Sequence, residues 1–126
     1  MKTLTTLLLI LFVPIFTQAQ QDCSKFKNGR FIYPDQKDVL SVRKNGIQKS
    51  ISNGKVMAIW KVEWIDDCSY NLTCKKLKAP MPPFEKGDLL ECKIVGTQDE
   101  CFQVDIVFKR NDKVIMPKMT GEMCLE

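Results

Sequence analysis

The sequence predicts an all-β domain: an eight-stranded antiparallel up-and-down meander that closes, or nearly closes, into a barrel. Three observations favour this fold. Apolar and polar residues alternate over most of the chain, tight-turn residues separate the alternating runs, and no segment after residue 19 has the period of a helix. Closure removes the exposed edges of an open sheet. A two-sheet sandwich is the alternative, but it usually needs strands that cross between sheets.

The first 19 residues have the features of a secretory signal peptide. Lys2 gives a basic start, residues 7–16 form an apolar core, and Thr17-Gln18-Ala19 supplies small residues at the cleavage position. The apolar run is shorter than the roughly 20 residues that span a bilayer, so we expect no stable membrane anchor after cleavage. Residues 20–126 would then form a single small β-barrel domain, exported to the periplasm or the extracellular space.

Turn residues divide the first half of the mature chain into five strands, which we place at residues 30–33, 39–43, 47–52, 55–64 and 68–76. Pro34-Asp35 ends the first strand. Asn45-Gly46 and Asn53-Gly54 end the second and third, because both residue types tolerate positive φ in a two-residue hairpin. Asp66-Asp67 divides residues 56–74, which contain both tryptophans, into the two strands of a central hairpin.

The second half contributes three more strands, at residues 88–95, 100–109 and 113–118. Turns at residues 96–98 and at Asn111-Asp112 separate them. Before them, three prolines within residues 80–83 exclude a regular strand or helix. Met81 and Phe84 are the apolar residues of this loop. We expect them to plug one end of the core rather than to form a ligand-gating lid, and they are also the candidate residues of an interaction site.

The cysteine content predicts disulfides, because six cysteines in a small exported domain are typical of a cross-linked fold. A zinc site is disfavoured, since the chain has no C-x-x-C spacing and no histidine. Six cysteines allow 15 pairings. The candidates are Cys23, Cys68, Cys74, Cys92, Cys101 and Cys124.

Strand register narrows these pairings. A three-residue loop at 96–98 pairs Cys92 with Phe102 and turns the apolar side chains of both strands inward, whereas Cys101 points outward. A Cys92–Cys101 bond is therefore not expected. We predict Cys74–Cys92 across neighbouring strands and Cys23–Cys68 as a tie to the N-terminal segment. Cys101 and Cys124 are left either paired or free.

The composition disfavours several classes of function. Without histidine the chain cannot form a Ser-His-Asp or Cys-His couple or an imidazole metal site, and it has no glycine-rich phosphate loop. We therefore expect no enzyme, cofactor or metal. The net charge is +4, or +3 without Lys2, and the basic residues form no dense stripe, so we expect no nucleic-acid partner.

Two segments carry a resemblance to known proteins. C-S-K-F-K-N-G-R-F-I-Y (residues 23–33) and W-I-D-D-C-S-Y-N-L (residues 64–72) resemble a group of short exported bacterial proteins of unknown function. A DNA topoisomerase IV name is sometimes attached to that group, but this chain is too short for such an activity. The predicted strand order is also similar to that of the lipocalin-like (calycin) barrels, which bind small apolar molecules. Gly29-Arg30-Phe31 replaces the G-x-W that begins that fold.

Two functions follow as hypotheses. The first is a secreted protein that binds a small hydrophobic ligand inside the barrel, against an inner row of aromatic side chains. In the second, these side chains only fill the barrel. The protein is then an interaction module, such as an inhibitor or an envelope accessory factor, that binds an envelope or extracellular protein through Met81 and Phe84. The aromatic row consists of Trp60, Trp64, Tyr70, Phe102 and Phe108.

Overall fold

A computed structural model describes residues 22–126, so the predicted signal peptide, residues 1–19, lies outside the described residues. A short 3-10 helix, Ser24–Phe26, comes first. Among residues 22–126 no helix has the length and apolar character that a bilayer crossing requires. Nine strands follow: β1 Gly29–Tyr33, β2 Gln36–Lys44, β3 Ile47–Ser52, β4 Lys55–Asp66, β5 Ser69–Leu77, β6 Leu89–Gln98, β7 Cys101–Arg110, β8 Lys113–Val114 and β9 Met119–Leu125.

The strands form an antiparallel barrel, which confirms the predicted fold class. The hydrogen-bonded order is β6-β5-β4-β3-β2-β1-β9-β7, and pairing of β6 with β7 closes the ring. β8 pairs with β7 and lies outside the ring. The sequence prediction of the last strand was wrong, because β9 closes the barrel and only two residues of the predicted strand 113–118 are extended. Pro117 has no N–H to donate to a ladder, which limits pairing in this segment.

The two Asn-Gly hairpins have the predicted geometry. Asn45 and Gly46 have φ values of 52° and 77°, and Asn53 and Gly54 have 49° and 77°. Because a type I′ hairpin turn needs positive φ at both central positions, these pairs determine where β2, β3 and β4 turn.

The two ends of the barrel differ. At one end, the closed end, the 3-10 helix lies across the barrel and both described chain ends meet. The backbone N–H groups of Leu125 and Glu126 donate to the carbonyl oxygens of Glu100 and Arg30. At the opposite end, the mouth, lie the β5–β6 loop with its prolines and the segment between β7 and β9.

The β6–β7 hairpin corrects the predicted register. Gln98 pairs with Cys101 across a two-residue turn, and a bulge between Ile94 and Gly96 shifts the ladder, so that Cys92 lies opposite Ile106. The bulge turns the apolar side chains of both strands inward, the orientation that we had predicted from a three-residue loop. The predicted inward side chains of this hairpin are therefore buried, except for the partly buried Ile106.

Two disulfides lie at the closed end. Cys23 is bonded to Cys68 as predicted, and Cys101 is bonded to Cys124, since β7 and β9 place them directly opposite each other. The predicted Cys74–Cys92 bond is wrong: both side chains are buried free thiols. Cys92 pairs with Tyr70 in the ladder, four residues from Cys74 along β5. Four residues of strand span roughly 13 Å, far beyond the reach of a disulfide.

Candidate functional site

The aromatic residues that we predicted to line the interior do face inward. Trp60, Tyr70, Phe102 and Phe108 are buried, and Trp64 is half-buried. They pack against one another and against further rings. The centroids of Trp64 and Tyr70 lie 4.7 Å apart, and those of Phe26 and Phe102 also lie 4.7 Å apart. Such spacing is that of directly contacting rings, so these side chains occupy the barrel interior.

The proline-rich loop contributes to this packing. The ring of Phe84 inserts between Trp60 and Phe108, with centroid distances of 5.4 and 5.3 Å and steep interplanar angles. Met81 is also partly buried against the core. Both residues therefore pack against the core at the mouth, as expected of a plug.

A buried guanidinium lies at the closed end of the interior. Arg43 on β2 is 1% exposed. Its Nε and one terminal nitrogen both donate to the Oε1 of Gln48, at 2.9 and 2.8 Å, and the other terminal nitrogen donates to the carbonyl oxygen of Phe26 at 2.8 Å. Among residues 22–126 no carboxylate forms an ion pair with it. Hydrogen bonds to neutral acceptors thus solvate a buried positive charge.

Aromatic faces complete the environment of Arg43. Its guanidinium carbon lies 4.4 Å from the ring centroid of Tyr70, 4.9 Å from that of Phe31 and 5.7 Å from that of Trp64. Within about 6 Å a ring attracts a cation, and desolvation strengthens the attraction. Because Phe26 belongs to the 3-10 helix, Arg43 holds that helix across the closed end.

The groups nearest Arg43 do not supply a negative charge at neutral pH. Burial raises the pKa of the Tyr70 hydroxyl, although Arg43 opposes the shift. Burial likewise raises the pKa of the Cys92 thiol to about 12. Tyr33 also has a raised pKa, for the same reason, and its hydroxyl lies 2.7 Å from the Oγ of Ser41. Burial therefore favours the neutral form of all three groups next to the guanidinium.

At the mouth, residues 77–85 line a shallow and mostly apolar depression of about 500 Å³. We call these residues the platform. Their backbone positions are anchored from below. Asp88, whose side chain is 1% exposed, accepts two hydrogen bonds from Arg110, at 2.8 and 3.0 Å, and one from the backbone N–H of Glu85 at 2.7 Å.

Arg110 links the platform to the end of β7. Besides binding Asp88, it donates to the carbonyl oxygen of Pro83 at 3.0 Å and forms an ion pair with Glu85 at 3.4 Å. Arg110 also holds the pKa of the Asp88 carboxyl below its usual range. The platform is therefore held by packing of Phe84 on one side and by a buried ion pair on the other.

One cluster brings three metal-donor side chains of the described residues within 4.8 Å of one another: Cys101, Glu122 and Cys124. Its two sulfur atoms are joined in a disulfide, so neither is a thiolate ligand. This arrangement does not offer the donor set of a metal centre.

Sequence reasoning missed Arg43, Asp88 and Arg110. Arg43 lies in the run Val39-Leu40-Ser41-Val42-Arg43, whose apolar alternation favours an inward Leu40 and Val42, whereas the structure buries Ser41 and Arg43. The position of Asp88 immediately after Gly87 was a usable signal, because aspartate at the end of a loop often accepts backbone hydrogen bonds.

Comparison with models of known protein families finds no match, and comparisons with curated proteins and with solved structures find none either. The resemblance to short exported bacterial proteins therefore stays a prediction.

Proposed function

We propose that the chain is a non-catalytic exported β-barrel protein that binds a partner protein of the cell envelope or the extracellular space through the platform. The observation that carries this proposal is the difference between a filled barrel interior and an open depression at the mouth. Side chains of the chain itself occupy the interior, whereas the mouth presents a firmly held, largely apolar depression. Rigid loops that display apolar residues are frequent binding sites.

The two disulfides support the exported location in this proposal. Cys23–Cys68 and Cys101–Cys124 would be reduced in most cytosolic environments and persist in oxidising compartments. Fractionation of cells that produce the full chain tests this part. Recovery of the oxidised protein in the cytosol alone would contradict it.

Site-specific photo-crosslinking tests the binding surface. A photoreactive amino acid replaces Pro80, which is exposed on the platform, or Lys49, which is exposed on the barrel wall. We expect one partner to be captured from Pro80 and not from Lys49. The captured protein is then purified, and its affinity is measured for the wild type and for P82S. A partner that is captured equally from both positions, or whose affinity is unchanged in P82S, contradicts the proposal.

A small hydrophobic ligand is the second candidate, and one observation favours it. The ring between Trp60 and Phe108 comes from Phe84, which belongs to a loop and not to a strand. Movement of this loop would vacate an aromatic-lined space at the mouth. Titration with fatty acids and hydrophobic dyes, read by tryptophan fluorescence, tests this. We expect saturable binding that strengthens in F84A, and the absence of a saturable signal in both proteins would exclude the ligand.

A further inference from the structure

Four lysines belong to the platform or adjoin it in the chain: Lys75, Lys76, Lys78 and Lys86. All four are exposed. Within residues 22–126 none of them belongs to an ion pair with an N–O distance of 4.0 Å or less. The ammonium groups of Lys76, Lys78 and Lys86 are therefore available to a molecule that approaches the mouth, whereas Lys75 interacts electrostatically with Glu63.

The acidic groups of the same segment are already engaged. Residues 75–88 contain four lysines and two acids, a balance of +2. Both acids, Glu85 and Asp88, pair with Arg110. The free charge next to the depression is consequently positive.

The closed end carries more acidic side chains, three of which form ion pairs with Lys25, Arg30 and Lys61. Acidic side chains cluster in its turns and chain end, and several of them remain exposed. Other turns of the mouth carry the exposed acids Asp35, Asp38 and Asp112, so the positive charge is local to the segment beside the depression. The field of this local charge orients a charged partner before contact. The acidic residues at the closed end are Asp22, Glu63, Asp66, Asp67, Asp99, Glu100 and Glu126.

We infer that the platform binds an acidic, extended segment of a partner protein, with one apolar side chain of that segment seated in the depression. The inference rests on the proposed function and names the partner class for that same site. Charge complementarity assigns the acidic character, because unpaired lysines border the depression. The lining of the shallow depression is mostly apolar, which suits contact with the apolar side chain of such a segment.

Short synthetic peptides test this inference. One peptide is rich in glutamate with a central phenylalanine, a second replaces that phenylalanine with serine, and a third replaces the glutamates with lysines. Fluorescence anisotropy measures their affinity for the full mature chain at low and high salt. We expect the first peptide to bind most tightly and to weaken as salt rises, since exposed charge pairs are screened. Equal binding of the acidic and basic peptides, or no binding of the first, would overturn the inference.

Charge reversal localises the site. K78E/K86E changes two lysines beside the depression, and K44E/K49E makes the same change of net charge at exposed positions of β2 and β3. We expect about tenfold or greater weakening in K78E/K86E and less than about twofold in the control variant, because the field is strongest for charges closest to the ligand. Circular dichroism verifies that both variants are folded. Equal effects in the two variants would count against the site.

Two further outcomes separate this inference from its alternatives. In the first, vesicles containing phosphatidylglycerol bind the chain through Lys78 and Lys86, whereas the acidic peptide does not bind. The partner of the platform would then be a membrane surface, and the inference of an acidic segment would be wrong. A partner that is crosslinked at Pro80 and binds K78E/K86E as tightly as the wild type would refute the acidic segment but leave the proposed function intact. Absence of any platform-specific partner would instead remove the proposed function itself.

Discussion

Replacing either Arg43 or Gln48 alone should lower the free energy of unfolding more than replacing both residues together. In Q48L the guanidinium loses two of its three hydrogen bonds and stays buried. A hydrogen bond to a charged group contributes about 1.5–3 kcal/mol, so the loss of two of them costs at least about 3 kcal/mol. We expect Q48L to lower the free energy of unfolding by that amount.

The other two variants leave different groups unsatisfied. R43M removes the charge but leaves two buried acceptors, the Oε1 of Gln48 and the carbonyl oxygen of Phe26, without their donor. Each orphaned acceptor costs about 1–3 kcal/mol, and the end of charge desolvation offsets part of this loss. R43M/Q48L leaves only the Phe26 carbonyl unsatisfied, so it should lose about 1–3 kcal/mol, less than Q48L alone.

Urea unfolding followed by tryptophan fluorescence measures the three free energies. Trp64 lies 5.7 Å from the guanidinium carbon and reports directly on this region. We expect a coupling energy of at least about 2 kcal/mol between the two substitutions. K44M, at the exposed neighbouring position, is the control and should change stability by less than about 0.5 kcal/mol. If the losses of R43M and Q48L add to give that of the double variant, the two side chains are not coupled and the reasoning is refuted.

Three other perturbations address the ion pair, the disulfide and the free thiol. D88N should lose about 2–4 kcal/mol at neutral pH, because it disrupts the buried pair with Arg110. Since the pKa of Asp88 is lowered on folding, its contribution is complete above the unfolded-state pKa and is lost as pH falls through the folded-state pKa. The difference in melting temperature between wild type and D88N should therefore shrink as the pH falls. A difference that stays constant with pH would contradict the linkage. C23S/C68S removes a link across a sequence separation of 45 and should lose about 4 kcal/mol in urea unfolding; a loss below about 1 kcal/mol would show that this link does not stabilise the fold. Burial that raises the pKa of Cys92 to about 12 predicts that thiol reagents label it at mildly alkaline pH only after unfolding, and rapid labelling of the native protein would show that this thiol is accessible.

Local signals in the sequence were sufficient for much of the fold. Asn45-Gly46 and Asn53-Gly54 predicted two hairpins, because their conformational preference belongs to the two residues themselves. The inward rows of β4 to β7 followed from the period of two. β9 escaped prediction because Gly121 and Glu122 interrupt its apolar pattern, and its extended conformation depends on pairing with β7.

The site was less predictable because its decisive contacts join distant segments. Arg43 is tolerated in the core only because Phe26, Gln48 and Tyr70 converge on it in the folded barrel. The Cys74–Cys92 prediction failed for a related reason. Both thiols face the interior, but the register places them too far apart along the strands, and orientation alone does not fix separation.

The position of the described chain ends affects how the protein can be joined to a resin or to a fused domain. Both lie at the closed end, on the opposite side of the barrel from the platform. A ten-residue strand such as β7, tilted by about 40°, gives the barrel a height of roughly 25 Å. A tether joined next to Cys23 or Leu125, whether to a resin or to a fused domain, would hold the platform outward at about that height. Immobilisation through either end should therefore leave partner binding intact.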